Sequence, residues 1–304
     1  MNSERGFSRR EVITAAVGAA ASAASSAVAQ QSPRFQQSGR AAPRKALMFS
    51  MLPNLPSLDE KFRLVREVGF EAVEVPPITD PAECERMRKA ADSAQVRIHS
   101  VIFGGWGTPL SSADPDVIRR GLESVEAALR GAALMGADGL LLVPAVVNGK
   151  TRYVDAYRRS QANIRRLIGA AARHKVAILI ENVWNNFLLS PLEFARYIDE
   201  FKSQWVQAYF DCGNVVAFGW PEDWIRTLGP RIRKIHLKDY RGGPGLGSRG
   251  EFVGLREGSI NWPEVRRALD EIGFAGYMTP ELGGGDAAYL REVSARIDKI
   301  LAGE

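Results

Sequence analysis

The chain has 304 residues, 45% hydrophobic and 25% charged, which is typical of a globular chain long enough for one large core. It carries 40 basic and 35 acidic residues, without a lysine and arginine run that would neutralise a nucleic-acid backbone, so we expect no nucleic-acid partner. The two cysteines, Cys84 and Cys212, lie in separate predicted elements without CxxC spacing, which predicts neither a disulfide framework nor a zinc knuckle.

Residues 1–30 predict an export signal. Arg9 and Arg10 stand in a twin-arginine n-region, an uncharged Ala-rich stretch follows, and Ala27-Val28-Ala29 gives a small-x-small cleavage site. The stretch is too rich in Ala and Ser to predict a membrane span. We expect export to the bacterial periplasm by the twin-arginine route, with no membrane association after signal removal. Residues 31–45 are polar and predict a flexible linker.

From residue 46 onward, strand-like apolar runs alternate with helical patterns. The predicted strands are 46–51, 71–75, 96–103, 139–143, 176–180, 206–210, 232–235 and 274–279. The predicted helices are 58–68, 81–93, 114–135, 152–174, 192–201, 221–228, 261–272 and 286–301. A Gly-rich loop is expected over residues 241–258.

This alternation predicts an α/β fold whose parallel sheet is covered by helices. Eight units in about 260 residues fit a single-domain (β/α)8 TIM barrel over residues 46–304. A doubly wound open sheet is the alternative. That fold would need a Gly-rich phosphate turn after its first strand, and residues 50–54 do not form one.

The C-terminal ends of barrel strands meet on one rim, where active sites lie. Residues of metal-ligand type stand on six predicted strands: Glu74, His99, Glu181, Asp211, His236 and Glu281. Any one of them could simply cap an element or face solvent, but the last four belong to four consecutive strands. Three carboxylates and an imidazole suit Mn²⁺, Mg²⁺ or Co²⁺ in an octahedral field, with Zn²⁺ as a further option.

Four segments at these strand ends carry a family resemblance: residues 180–182, 210–214, 236–239 and 279–282. They resemble the metal-binding segments of the xylose isomerase-like TIM-barrel superfamily, and more closely its sugar phosphate isomerase/epimerase branch. The resemblance implies that the metal ligands are Glu181, Asp211, His236 and Glu281.

The chain departs from this family at two positions. Ketose 3-epimerases have a second glutamate six residues after the first metal glutamate, and Phe187 stands here instead. They also have a histidine three residues after the metal aspartate, where this chain has Asn214. A standard ketose 3-epimerase is therefore doubtful. The histidine-rich trinuclear zinc site of the related endonuclease IV does not fit a chain with three histidines.

These features predict a metal-dependent sugar isomerase or epimerase that transfers a proton through an enediolate of a ketose or keto-sugar. Glu181 and Glu281 would act as acid and base. The residues expected to bind the carbohydrate substrate are His99, Lys238, Trp106 and Trp184, with Trp220 as a further wall residue.

Two alternatives remain open. One is a metal-dependent lyase or dehydratase that eliminates from a 3-keto-glycoside, and the other is a non-catalytic carbohydrate-binding barrel. A homo-oligomer is compatible with all three interpretations.

Overall fold

The computed structural model describes residues 42–242 and 250–304. The predicted signal peptide lies outside these residues and stays a prediction, as does most of the predicted linker. Arg44 and Lys45, predicted to belong to the linker, are the first residues of the first strand.

The described residues form a barrel of eight strands with eight α-helices around it, and a small hairpin. The strands are β1 Arg44–Met48, β2 Ala72–Val75, β3 Arg97–Gly104, β4 Gly139–Leu142, β5 Ala177–Glu181, β6 Val206–Asp211, β7 Ile232–Leu237, β8 Asp239–Arg241, β9 Glu251–Val253 and β10 Tyr277–Pro280. The helices are α1 Leu58–Glu67, α2 Pro81–Ser93, α3 Pro115–Met135, α4 Tyr153–His174, α5 Pro191–Asp199, α6 Pro221–Leu228, α7 Trp262–Glu271 and α8 Ala287–Ala302.

The barrel closes in the order β1-β2-β3-β4-β5-β6-β7-β10, with β10 returning to β1, and every neighbouring pair is parallel. The predicted (β/α)8 barrel is therefore confirmed. In this register Asp211 lies beside His236, and His236 lies beside Thr279, two residues before Glu281. The topology thus gathers the polar strand ends on one rim.

Three predicted segments differ clearly from the structure. The last strand, predicted over 274–279, begins only at Tyr277. The first predicted strand is shorter at its C-terminal end, because Phe49–Met51 turn into a 3-10 helix. The predicted Gly-rich loop, 241–258, contains a strand, because Glu251–Val253 form β9 and pair with β8 as an antiparallel hairpin.

Local capping explains why the helices begin where the sequence predicts. Six of them start after a side chain that accepts a hydrogen bond from a backbone amide of the first turn, which satisfies an otherwise unpaired donor. These caps are Ser57, Asp80, Asp114, Ser190, Asn261 and Asp286. Five helices have a proline in the first turn. Its fixed φ suits the helix, and its missing amide hydrogen costs nothing there, because first-turn amides have no partner within the helix.

The main hydrophobic core lies between the barrel and its helices, whereas the barrel interior is partly polar. Small apolar groups remain inside, such as Leu141, Leu179 and Tyr209. Buried charged and polar side chains also stand on the interior faces of the strands: Glu74, His99, Lys234 and His236. The barrel interior beneath the site described below is therefore partly polar.

Lys234 is one of these interior polar residues, and its ammonium group has partners within the barrel. Its Nζ donates to Asp138 Oδ1 at 2.6 Å and to the carbonyl oxygen of His99. Gly139 makes room for it, since a Cβ at that position would lie 3.0 Å from Lys234 Nζ and 2.6 Å from Leu179. A buried ammonium is thereby paired within the barrel.

Both cysteines are buried and free. Among the described residues, no helix combines the length and the apolar character that crossing a membrane requires.

Candidate metal centre and active site

Four of the predicted residues meet at the C-terminal rim. Glu181, Asp211 and His236 belong to β5, β6 and β7, and Glu281 directly follows β10. One ligand atom from each lies within 4.8 Å of the others. We call these four residues the quartet. Because their strands are neighbours, the two glutamates stand at the two ends of the row.

His236 connects the quartet to the barrel interior. Its Nδ1 lies 2.8 Å from Glu181 Oε1 and 3.2 Å from Glu281 Oε2. Its Nε2 lies 2.6 Å from Glu74 Oε2, and its ring packs on Tyr209 with centroids 4.3 Å apart. Nδ1 thus faces Glu181 and Glu281 of the quartet, whereas Nε2, on the other side of the ring, is held by Glu74.

The sequence places Glu74 near a strand end without indicating its role. The position of Glu74 in an otherwise apolar strand does indicate that it has one, because all four residues of β2 are buried and Glu74 alone is charged. A fully buried carboxylate requires a partner, and the pattern alone did not identify His236 as that partner.

Asp211 is fixed on three sides. Its backbone amide donates to Asn182 Oδ1 at 2.9 Å, and its carbonyl oxygen accepts from Asn182 Nδ2 at 2.9 Å. Its Oδ1 accepts from the Asn214 amide at 2.7 Å. Within the described part of the chain, Oδ2 has no hydrogen-bond partner, and Lys238 Nζ lies 3.4 Å away. One oxygen is therefore held by the fold while the other faces the cluster.

Lys238 places an ammonium against the quartet. Its Nζ lies 2.7 Å from Glu281 Oε2, in addition to its contact with Asp211. Gly213 allows this close packing, since a Cβ there would be 2.4 Å from the Cβ of Lys238. The lysine is mostly buried, with 15% of its side chain exposed.

Burial and charge act in opposite directions on the two glutamates. Burial raises the pKa of Glu181 to about 7, and its hydrogen bond with His236 does not fully offset this. Burial also favours the neutral form of Glu281, but the hydrogen bond with His236 and the charge of Lys238 outweigh it and lower the pKa to about 2. Burial raises the pKa of Asp211 as well.

The donor set fits a divalent cation. Three carboxylates and one imidazole converge, and they are of the ligand types preferred by Mn²⁺, Mg²⁺ and Co²⁺ and accepted by Zn²⁺. The buried Asp211 Oδ2 lacks a hydrogen-bond donor among the described residues, as expected of an oxygen directed at a cation. Glu74 completes the arrangement commonly found for metal-bound histidines, whose second nitrogen is held by a carboxylate.

His99 occupies a different position from the quartet. It is fully buried, its Nε2 lies 3.1 Å from Thr279 Oγ1, and its ring packs on Tyr277 at 4.6 Å between centroids. Burial lowers its pKa well below the ordinary value. This geometry supports a place in the barrel interior better than the predicted contact with substrate, which stays a prediction.

The three predicted tryptophans lie in segments that follow the C-terminal ends of strands. Trp106, Trp184 and Trp220 are 53%, 48% and 57% exposed. Trp184 is joined directly to the site, because its Nε1 donates to the carbonyl oxygen of Asn214 at 2.9 Å. No comparable contact with the quartet region is found for Trp106 or Trp220 within the described ranges.

The two departures from the ketose 3-epimerase pattern have structural roles. Phe187 is buried and packs against Tyr153, Tyr157 and Tyr197 at centroid distances of 5.1, 6.0 and 5.5 Å. The backbone amide of Asn214 donates to Asp211 Oδ1, and its side-chain Nδ2 donates to the Asn182 carbonyl oxygen at 3.0 Å. Both side chains therefore support the rim.

Comparison with known proteins gives a family match. The sequence profile of the xylose isomerase-like TIM-barrel family matches residues 62–299. A curated relative from Escherichia coli K12, the putative L-ribulose-5-phosphate 3-epimerase SgbU, is 24% identical over 240 residues, covering 74% of this chain and 84% of the relative.

Two solved structures share the fold. A structure of L-ribulose 3-epimerase superimposes with a TM-score of 0.71 at 19% identity, covering 86% of this chain and 95% of the other. The 3-keto-D-glucoside 4-epimerase YcjR from Escherichia coli superimposes with a TM-score of 0.71 at 16% identity, covering 84% and 98%.

Proposed function

The chain belongs to the xylose isomerase-like TIM-barrel family, and on this premise we propose that it is a metal-dependent epimerase or isomerase of a ketose or keto-sugar. The observation that carries the proposal is the quartet, in which two glutamates stand at the ends of a row that also holds an aspartate and a histidine. A purely structural cluster would not need three carboxylates converging on one point at a substrate-binding rim.

Glu181, Asp211, His236 and Glu281 would hold the divalent cation, with His236 using Nδ1. A cation held there supplies positive charge that stabilises the negative charge developing on a substrate carbonyl oxygen. Glu74 keeps the imidazole in the orientation this requires, and Asn182 and Asn214 fix Asp211.

The two glutamates supply the proton transfer. One carboxylate takes a proton from the carbon next to the substrate carbonyl, and the other returns a proton to that carbon or to its neighbour. Their places at opposite ends of the row suit transfer from opposite faces of the substrate. Lys238 lies beside Glu281 and can donate a hydrogen bond to a substrate oxygen.

The names of the relatives are consistent with this chemistry. L-ribulose-5-phosphate 3-epimerase and 3-keto-D-glucoside 4-epimerase act on different carbohydrates. In each of the two named reactions, the carbon whose configuration is inverted lies next to the carbonyl carbon. Both reactions can therefore proceed by removal and return of one acidic proton, and this shared step is the one proposed for this chain.

A panel assay in D₂O tests the proposal. The protein is loaded with Mn²⁺ and incubated with L-ribulose, L-ribulose 5-phosphate, D-psicose and methyl 3-keto-β-D-glucopyranoside, and the products are followed by NMR. Deuterium at the carbon next to the carbonyl without bond cleavage is the expected result. Cleavage of the glycoside would indicate a lyase instead, and binding without exchange or cleavage would indicate a carbohydrate-binding barrel. A chelator-treated sample is the control.

A further inference from the structure

Three aromatic side chains form a contiguous surface beside the quartet. Trp184 lies 5.1 Å from Phe252 and 5.9 Å from Tyr240, and Tyr240 lies 5.4 Å from Phe252, measured between ring centroids. We call these three residues the aromatic platform. Trp184 follows β5, whereas Tyr240 and Phe252 belong to the β8–β9 hairpin.

The platform presents two large apolar faces to solvent. Trp184 is 48% and Phe252 45% exposed, whereas Tyr240 is buried beneath them at 4%. Tyr240 meets both rings edge-on, at interplanar angles of 79° and 72°, so it supports them. Adjoining aromatic surface that remains open to water next to a polar site is typical of ligand binding.

Hydrogen bonds fix the platform to the segments that carry the quartet. The Trp184 indole donates to the Asn214 carbonyl oxygen, and the Asn214 amide binds Asp211. On the other side, the buried carboxylate of Asp239 accepts from the amides of Tyr240 and Arg256 at 2.9 and 2.8 Å and from Trp262 Nε1 at 3.0 Å. The platform is therefore held in a defined place relative to the quartet.

Lys238 bridges the two surfaces. Its Nζ lies 5.5 Å from the centroid of the Phe252 ring and 2.7 Å from Glu281 Oε2. Phe252 and Glu281 of the quartet therefore contact the same lysine side chain, and the platform adjoins the quartet.

The two exposed rings of the platform favour a ligand with an apolar face, because such a face gains from stacking on aromatic side chains. Of the nearby basic residues, Lys238 contacts two carboxylates of the quartet, and Arg241 pairs with Glu251 at 3.1 Å. Arg256 is exposed, so the inference rests on the exposed rings and not on charge.

We propose that the aromatic platform is a subsite for an uncharged ring attached to the reacting sugar, so that the substrate class is a keto-glycoside. This inference rests on the proposed function for the reacting sugar. It assigns the platform to the part of the substrate that does not react, and it gives Phe252 and Trp184 a role in specificity.

Calorimetry with probes that cannot react tests the platform directly. Phenyl and methyl β-D-glucopyranoside are titrated into the Mn²⁺-loaded protein. We expect the phenyl glucoside to bind about five- to tenfold more tightly than the methyl glucoside. Phe252→Ala should remove most of that preference, and so should Trp184→Leu.

The control is Leu134→Ala, which removes an exposed apolar side chain on α3, outside the platform, and should leave the preference unchanged. Circular dichroism verifies that each variant is folded. Equal affinities for the two glucosides, no measurable binding of the phenyl probe, or a preference that survives in both platform variants would overturn the inference.

The proposed function can fail independently of the platform. If the wild type shows the phenyl preference but exchanges no deuterium into any keto-sugar, proton transfer is wrong and the platform stands. If exchange occurs without the preference, the platform inference alone is wrong.

Discussion

Glu74 and His236 form the contact that determines which imidazole nitrogen faces the carboxylates. With Nε2 held by Glu74 at 2.6 Å, Nδ1 is left to face Glu181 and Glu281. An imidazole free to rotate would present either nitrogen, and the entropy of fixing it would oppose cation binding. Glu74 therefore acts through His236 as a positioning residue.

Replacing Glu74 tests this role. Glu74→Ala should weaken Mn²⁺ binding about 10- to 100-fold, because the imidazole loses its second partner. Glu74→Gln should weaken it less, since the amide oxygen can still accept from Nε2. Calorimetric titration of chelator-treated protein measures both affinities.

Glu67→Ala, at the exposed end of α1, is the control for loss of a glutamate and should bind Mn²⁺ like the wild type. If folded Glu74→Ala also bound Mn²⁺ with wild-type affinity, the positioning role would be wrong.

The residues of the quartet could be predicted from the sequence, whereas the contacts that orient them could not. Each quartet residue stands at or directly after a strand end, a position that hydrophobic runs mark locally. Glu74 reaches His236 across 162 positions of the chain. Such a contact depends on barrel closure and register, which no local pattern records.

At the scale of elements, the helices were easier to predict than the hairpin. Helix starts such as Ser57 and Asp80 depend on a side chain and an amide three residues later, so the signal is local. The hairpin has strands of three residues. It is anchored by Asp239, whose partners Arg256 and Trp262 lie 17 and 23 positions away.

The contact between Asp138, directly before β4, and Lys234 on β7 ties the two strands together across the barrel. Asp138→Asn should lower the free energy of unfolding by about 2–3 kcal/mol, mainly because the buried Lys234 would lose its carboxylate partner. The half-exposed Arg97, 2.7 Å from Asp138 Oδ2, would lose the same partner and should contribute less than about 1 kcal/mol of this. Glu126→Gln removes the partner of Arg173 on the surface and should cost less than about 1 kcal/mol. Urea denaturation at pH 7 compares the two variants. Equal effects would show that the Lys234 pair does not contribute specifically.

The same pair predicts a dependence on pH. Burial alone would raise the pKa of Asp138, but the charge and hydrogen bond of Lys234 outweigh it and lower the pKa. The stabilisation is then fully present above the unfolded value of about 3.9 and is lost as the pH falls through the lower folded value. The stability difference between wild type and Asp138→Asn should therefore shrink below about pH 4. A constant difference down to pH 2 would contradict this assignment.

At the scale of the whole molecule, alternating strands and helices were sufficient to predict the barrel, because eight βα units of this length close in few other ways. The polar interior was not predicted. Lys234 stands in a segment that reads as an apolar run interrupted by basic residues. Its burial depends on Asp138 as an ionic partner and on the space left by the adjacent Gly139, and Asp138 lies 96 positions earlier in the chain.

A bound cation should stabilise the whole fold. The quartet brings three carboxylates together, and a divalent cation that binds the folded chain stabilises it by mass action. Saturating Mn²⁺ at about 100 times its dissociation constant should raise the melting temperature of chelator-treated protein by about 5–10 °C. Asp211→Asn should reduce this shift, as measured by differential scanning calorimetry. An unchanged melting temperature in the wild type would argue against a cation site.

Export is a prediction for the part of the chain outside the described residues. We propose that the twin-arginine pair directs the folded chain to the periplasm. Changing Arg9 and Arg10 to Lys should retain the precursor in the cytoplasm, as followed by fractionation and immunoblotting. An undiminished periplasmic yield would show that the pair is incidental.

The central claim is that a cation-loaded quartet moves a proton through its glutamates, and Glu281→Gln tests it most directly. Deuterium exchange into the best keto-sugar of the panel is measured in D₂O at saturating Mn²⁺, beside calorimetric titration of the same stripped protein. We predict that the variant still binds Mn²⁺ but exchanges at least about 100-fold more slowly than the wild type, since the amide cannot carry the proton. Full exchange in Glu281→Gln with excess Mn²⁺, or a stripped wild type that binds no divalent cation, would contradict the account.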